Sequence, residues 1–113
     1  MTINRFDAGP RMSQAVVHNG TVYLAGQVAK GASVREQTTQ VLKQIDALLK
    51  QAGTDKTKLL SATIWLTSMG NFSEMNAVWD AWVSAGNTPA RATVEAKLAA
   101  PEYAVEIACI CAV

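Results

Sequence analysis

The sequence predicts an α+β fold: a mixed sheet with two helices on one face, its elements running β-β-α-β-α-β-β. Three observations predict it. The dipeptide Asn19-Gly20 stands between two β-rich runs, as in a tight hairpin. Two long stretches repeat apolar residues at helical spacing, each with a start signal and a glycine stop. The runs between and after them have the alternation or continuous apolarity of strands. At 113 residues the chain has room for one core, so residues 1–113 read as a single domain.

The elements follow in order. "SQAVVHNGTVYLAG" gives a hairpin over about 13–18 and 21–26, because a two-residue type I′ turn needs positive φ at both central positions. His18 lies beside that turn and reads as an exposed strand-end residue, since no second histidine or adjacent nucleophile pairs with it. "SVREQTTQVLKQIDALLKQAG" is a long amphipathic helix. Ser33 and Glu36 form a capping box, Val34, Thr38, Val41, Ile45, Leu48 and Ala52 make one stripe, and Gly53 stops it. Residues 59–67 form a strand, with Leu60, Ala62, Ile64 and Leu66 on one side. In "NFSEMNAVWDAWVSAG", Asn71 and Glu74 have the capping spacing. Phe72, Met75, Trp79, Trp82 and Val83 line the apolar face, and Gly86 closes the helix. Two strands, about 90–97 and 103–112, complete the chain.

Composition constrains the setting. Half the residues are hydrophobic and only 17% are charged, against about 25% in ordinary soluble domains. The chain is therefore short of the groups that coat a free surface, and a sheet face covered by self-association accounts for it. A net charge of +1 without Lys/Arg clusters gives nucleic-acid binding no support. No run approaches a membrane span, and the polar start "MTINRFDAGPR" is no signal segment, so the expected compartment is the cytoplasm. Cys109 and Cys111 are the only cysteines, too few for a disulfide framework or a four-thiolate zinc site, and read as buried free thiols. No metal or cofactor motif is present, and neither a Walker loop, HExxH nor GxSxG occurs.

Two residues stand out chemically. The last strand, "YAVEIACICA", is apolar on both faces except for Glu106, so it reads as buried on both sides. A carboxylate there is costly unless it is paired, reaches water at an edge, or faces a substrate pocket. Arg91, in "TPARATVEA", opens the preceding strand. Its planar fork suits a substrate carboxylate, and equally a salt bridge to Glu95 or Glu106. The available chemistry is hydrolysis or proton transfer using Arg, Glu, hydroxyls and backbone amides.

"SQAVVHNGTVYLAGQV", "NFSEMNAVWDAWV" and "PARATVEAKLAAPEYAVEI" resemble the reactive intermediate deaminase family, the RidA/YjgF group, and most closely its YoaB-like branch. The resemblance runs from about residue 2 to 113. It implies a chorismate-mutase-like fold and a homotrimer whose sheets form a central barrel, with active sites in clefts between subunits. It also implies cofactor-free hydrolysis of 2-imino acids, and of enamines such as 2-aminoacrylate, to 2-keto acids and ammonia. By the same resemblance Arg91 holds the substrate carboxylate and Glu106 positions the attacking water. Asn76 and Gly26 are pocket residues, and Thr93 stands where a cysteine is common and backbone groups face the ligand. Two positions depart from the pattern: the tyrosine of the G-P-Y segment is Met12, and the serine before the pocket glycine is Ala25. Loss of both hydroxyls leaves open a second reading, a non-catalytic trimer that binds small keto or imino acids. A ribonuclease label attached to the family is not supported by the near-neutral charge and lone histidine.

Overall fold

The computed structural model describes residues 2–113. Its strands are β1 (Asn4–Phe6), β2 (Ala15–His18), β3 (Thr21–Leu24), β4 (Leu59–Leu66), β5 (Ala90–Glu95) and β6 (Val105–Ala112). The helices are α1 (Val34–Gln51) and α2 (Phe72–Trp82). One sheet runs β1-β2-β3-β6-β4-β5, with β4–β5 parallel and the other neighbours antiparallel. The parallel pair follows from the β4–α2–β5 crossover. Among the described residues no helix is long and apolar enough to cross a membrane.

The hairpin forms as its dipeptide requires, with φ of 52° at Asn19 and 75° at Gly20. The strand β1 is additional to the five expected. It is three residues long and pairs along β2, Asn4 with Val17 to Phe6 with Ala15. So short a segment has no room for a legible alternation.

Helix α1 is capped at Ser33, whose Oγ accepts from the Glu36 N–H at 3.1 Å. Glu36 reaches back to the Ala32 N–H at 2.9 Å, one residue beyond the usual capping box. The expected cap on α2 does not form. Asn71 has φ −93° and ψ 5°, outside the extended region a side-chain cap needs, because a 3-10 turn over Met69–Asn71 runs into the helix. Ser68 caps that turn instead, accepting from the Gly70 N–H. Gly86 is also not the stop: α2 ends at Trp82, and the positive φ of Gly86 belongs to the Ser84–Asn87 turn that follows.

The two helices pack against each other, and α1 covers β3 and β6. Under the helices lie Ala62, Ile64 and Leu66 of β4 and Val105, Ile107, Cys109 and Cys111 of β6, all buried. Leu60 departs from its expected side. An irregularity in the β4–β6 register between Leu59 and Ser61 turns Leu59 inward and leaves Leu60 50% exposed. The far side of β6 is only half-buried, at Glu106, Ala108, Ile110 and Ala112. Within one chain, then, β6 is covered on one face, and the other presents apolar side chains. Tyr23 and Val94 on that face are 47% and 45% exposed.

Both cysteines are buried and unpaired. Burial, reinforced by neighbouring Cys111, pushes the Cys109 thiol from 9.0 up to about 12. Burial also raises Cys111, partly opposed by its contact with Thr54. The folded values lie above the unfolded ones, so the stabilisation they confer is complete below pH 9 and is lost as pH rises towards 12. Neutral buried thiols are poor nucleophiles. A thiol-disulfide dye should therefore find no fast thiol in the native protein at neutral pH and two after unfolding; a rapid native reaction would contradict this placement.

Candidate active site

Strand register decides which side of the sheet each candidate occupies. Arg91 pairs with Ala62 and Thr93 with Ile64, and these pair in turn with Cys109 and Ile107. Directly paired residues point the same way, so Arg91 and Thr93 lie on the helix-covered face. Glu106 pairs with Trp65, which pairs with Val94, so all three occupy the opposite face. The sheet does not bring Arg91 and Glu106 of one chain together.

Arg91 is seated on aromatic rings. Its Cζ lies 5.3 Å from the Trp79 ring centroid and 5.9 Å from that of Phe72. Phe72, Asn76 and Trp79 follow at i, i+4 and i+7 of α2 and share one helix face. Cation–π attraction to the two rings holds the guanidinium in place and leaves its donors available. Neither expected salt bridge accounts for Arg91. Glu106 is across the sheet, and the Glu95 carboxylate accepts from the Met69 N–H at 2.9 Å.

Beside the arginine are two polar atoms with unmet capacity. Among the described residues, three buried side-chain atoms lack a hydrogen-bond partner: Thr38 Oγ1, Asn76 Oδ1 and Thr93 Oγ1. Two of the three belong to the Arg91 group. Leaving such atoms unpaired costs about 1–3 kcal/mol each, and a bound water, an ion or a ligand is what would satisfy them. As an edge strand, β5 also leaves alternate backbone groups without a ladder partner.

The second group surrounds Glu106. A cleft of about 560 Å³ is lined by Met12, Gln14, Gly26, Gln27, Val28, Ala99 and Glu106. Its form comes from a shift in register. Tyr23 pairs with Ile110; continued regularly, that register would place Gly26 opposite Ile107. Gln27 pairs with Ile107 instead. One extra residue absorbed before Gln27 turns the Gly26 backbone onto the carboxylate. A Cβ at Gly26 would overlap Glu106 Oε2 and stand 2.9 Å from its Cδ. Ala25 is half-buried next to this site, and its N–H donates to the Gln14 carbonyl at 2.9 Å. Met12 is 47% exposed at the rim.

The expected residues thus fall into two groups, Arg91–Thr93–Asn76 and Glu106–Gly26–Ala25–Met12. Residue patterns missed three contributors. The ring partners Phe72 and Trp79 read as packing, which they also are. Gln14 had no periodic or motif signal. Among the described residues no cluster of three or more His, Cys, Asp or Glu is arranged to hold a metal.

Fold and site together define a small α+β domain whose candidate side chains are split between the two faces of one sheet. The family model described as Endoribonuclease L-PSP matches residues 2–113. The chain is 47% identical over 114 residues to the RutC family protein YoaB of Escherichia coli K12, covering 100% of both. A crystal structure of a YjgF-family member from Neisseria meningitidis matches with a TM-score of 0.97 and 51% identity, over 99% of this chain and 95% of that one. A rat protein named 2-iminobutanoate/2-iminopropanoate deaminase is 33% identical over 91 residues, which is 74% of this chain and 66% of the rat protein. The chain belongs to this family, the RidA/YjgF group, and within it to the YoaB-like branch.

Proposed function

We propose that the protein hydrolyses reactive 2-imino acids and their enamine tautomers to 2-keto acids and ammonia, as a homotrimer with its sites between subunits. The observation that carries this reading is the pair of unpartnered atoms, Asn76 Oδ1 and Thr93 Oγ1, beside a ring-seated arginine. Such a group suits a small anion carrying additional hydrogen-bonding atoms. In a 2-imino acid the carboxylate is one bond from the reacting carbon. One molecule cannot contact an arginine and a glutamate on opposite faces of one sheet, so the two groups come from different copies. The apolar open face of the sheet supports contact between copies, as does the low charged fraction.

In this reading Arg91 binds the carboxylate and Glu106 of the adjacent copy holds a water beside the imine carbon. The water oxygen adds to the C=N carbon while Glu106 takes a water proton and passes it to the imine nitrogen, giving a carbinolamine. Glu106 then takes the hydroxyl proton and passes it to the nitrogen, the C–N bond breaks, ammonia departs, and the former water oxygen becomes the keto oxygen. One water is consumed and no redox change occurs, so no cofactor is required. Such imines also hydrolyse unaided, and holding the reactants in place is the main demand on the protein.

The test couples an amino-acid oxidase to a trapping reagent and follows decay of the imine. Acceleration over buffer is expected with at least one amino acid; none on several would remove the reading. The absence of hydroxyls at Met12 and Ala25 favours one alternative, binding without turnover. Calorimetric binding of 2-ketobutyrate by a protein that leaves imine decay unchanged would select it.

A further inference from the structure

Three glutamines, Gln14 and Gln27 lining the Glu106 cleft and Gln44 beyond them on α1, form a directional relay. Gln44 Nε2 donates to Gln27 Oε1 at 3.1 Å, and Gln27 Nε2 donates to Gln14 Oε1 at 2.9 Å. Two backbone carbonyls fix its direction. Gln44 Nε2 also donates to the Val28 carbonyl at 3.2 Å, and Gln27 Nε2 to the Ala25 carbonyl at 3.1 Å. A carbonyl only accepts, so neither amide can flip without setting oxygen against oxygen. Gln27, 6% exposed, is locked between its neighbours. The remaining consequence falls on Gln14. Its oxygen is occupied, so its NH₂ is the free end of the relay, and Gln14 lines the cleft with Glu106 and Gly26.

We infer that Gln14 is a further catalytic residue, its amide N–H donating to the oxygen that enters as water and leaves as the keto oxygen. Gln27 and Gln44 are positioning residues that orient it. This rests on the imine-hydrolase reading. Chemically, Glu106 is an acceptor and can hold the water only through its protons. A donor on the same wall fixes the oxygen itself, and continues to do so as that oxygen becomes a carbonyl. The relay thus restores a donor to a pocket where Met12 and Ala25 bring no hydroxyl.

The test uses the purified full-length protein carrying Gln14→Met or Gln14→Glu. The Met variant keeps the shape and removes the amide. The Glu variant keeps an acceptor for Gln27, preserving the relay, but at neutral pH has no donor. Each should lower kcat for imine decay roughly tenfold or more with little change in KM, because the Arg91 anchor is untouched. Gln44→Met should lower kcat by a smaller factor. A folded Gln14→Met or Gln14→Glu variant within about twofold of wild type would overturn the inference while the imine reading stands. Should wild type itself not accelerate imine decay, that reading falls and calorimetry with 2-ketobutyrate decides the donor. Roughly tenfold weaker binding by Gln14→Met supports it, and unchanged binding overturns it.

Discussion

Arg91→Ala should lower kcat/KM for imine hydrolysis roughly 10- to 100-fold, the equivalent of losing a charge-assisted contact of about 1.5–3 kcal/mol. The loss should appear mainly as a raised KM, because the carboxylate does not change during the reaction and is held equally in ground and transition states. Arg91→Lys separates charge from shape. A lysine keeps the cation but has no planar fork to stack on Trp79 and Phe72 while presenting two parallel donors, so it should recover only part of the loss. Arg91 also covers the Trp79 and Phe72 rings, so its removal should lower the melting temperature by no more than a few degrees. Steady-state kinetics of the three proteins check this. An Arg91→Ala enzyme with wild-type KM would place carboxylate recognition elsewhere.

Gly26→Ala should cut activity roughly 100-fold with little loss of stability. The added methyl overlaps Glu106 Oε2, the movable end of a long side chain, so the clash resolves by displacing the carboxylate. Gly26 is not among the glycines with positive φ, and alanine meets no backbone strain there. Catalysis is intolerant of that shift, because a misplacement of about 1 Å can cost two orders of magnitude in rate. Kinetics and thermal denaturation of the same sample test the claim. Full activity at an unchanged melting temperature would show that the position of Glu106 does not matter.

Much of the fold was legible because its signals are local. Asn19-Gly20, the Ser33 cap and the α1 stripe each specify their own conformation, and each appears as expected. What was not legible depends on neighbours. Leu60 faces outward because the β4–β6 register slips, which strict alternation along one strand cannot reveal. Asn71 fails as a cap because a 3-10 turn precedes it. At the site, Arg91 and Glu106 were recognisable as anomalies of their strands, but alternation within each strand says nothing about their relation across the sheet. Only the pairing of Arg91 with Ala62 and of Glu106 with Trp65 puts them on opposite faces. The family resemblance carried the remaining assignments, including Asn76 and Gly26, for which the residues alone gave no reason.

The central claim is that catalysis needs Arg91 of one copy and Glu106 of another. The most direct measurement co-expresses Arg91→Ala and Glu106→Gln chains under different tags, isolates the mixed oligomers and follows imine decay. Each variant alone contains no intact site. In every mixed trimer, whichever chain is in the majority, one site of the three draws an intact Arg91 from one copy and an intact Glu106 from the next, so roughly a third of wild-type activity should return. Mixed oligomers no more active than the two parents would contradict the account.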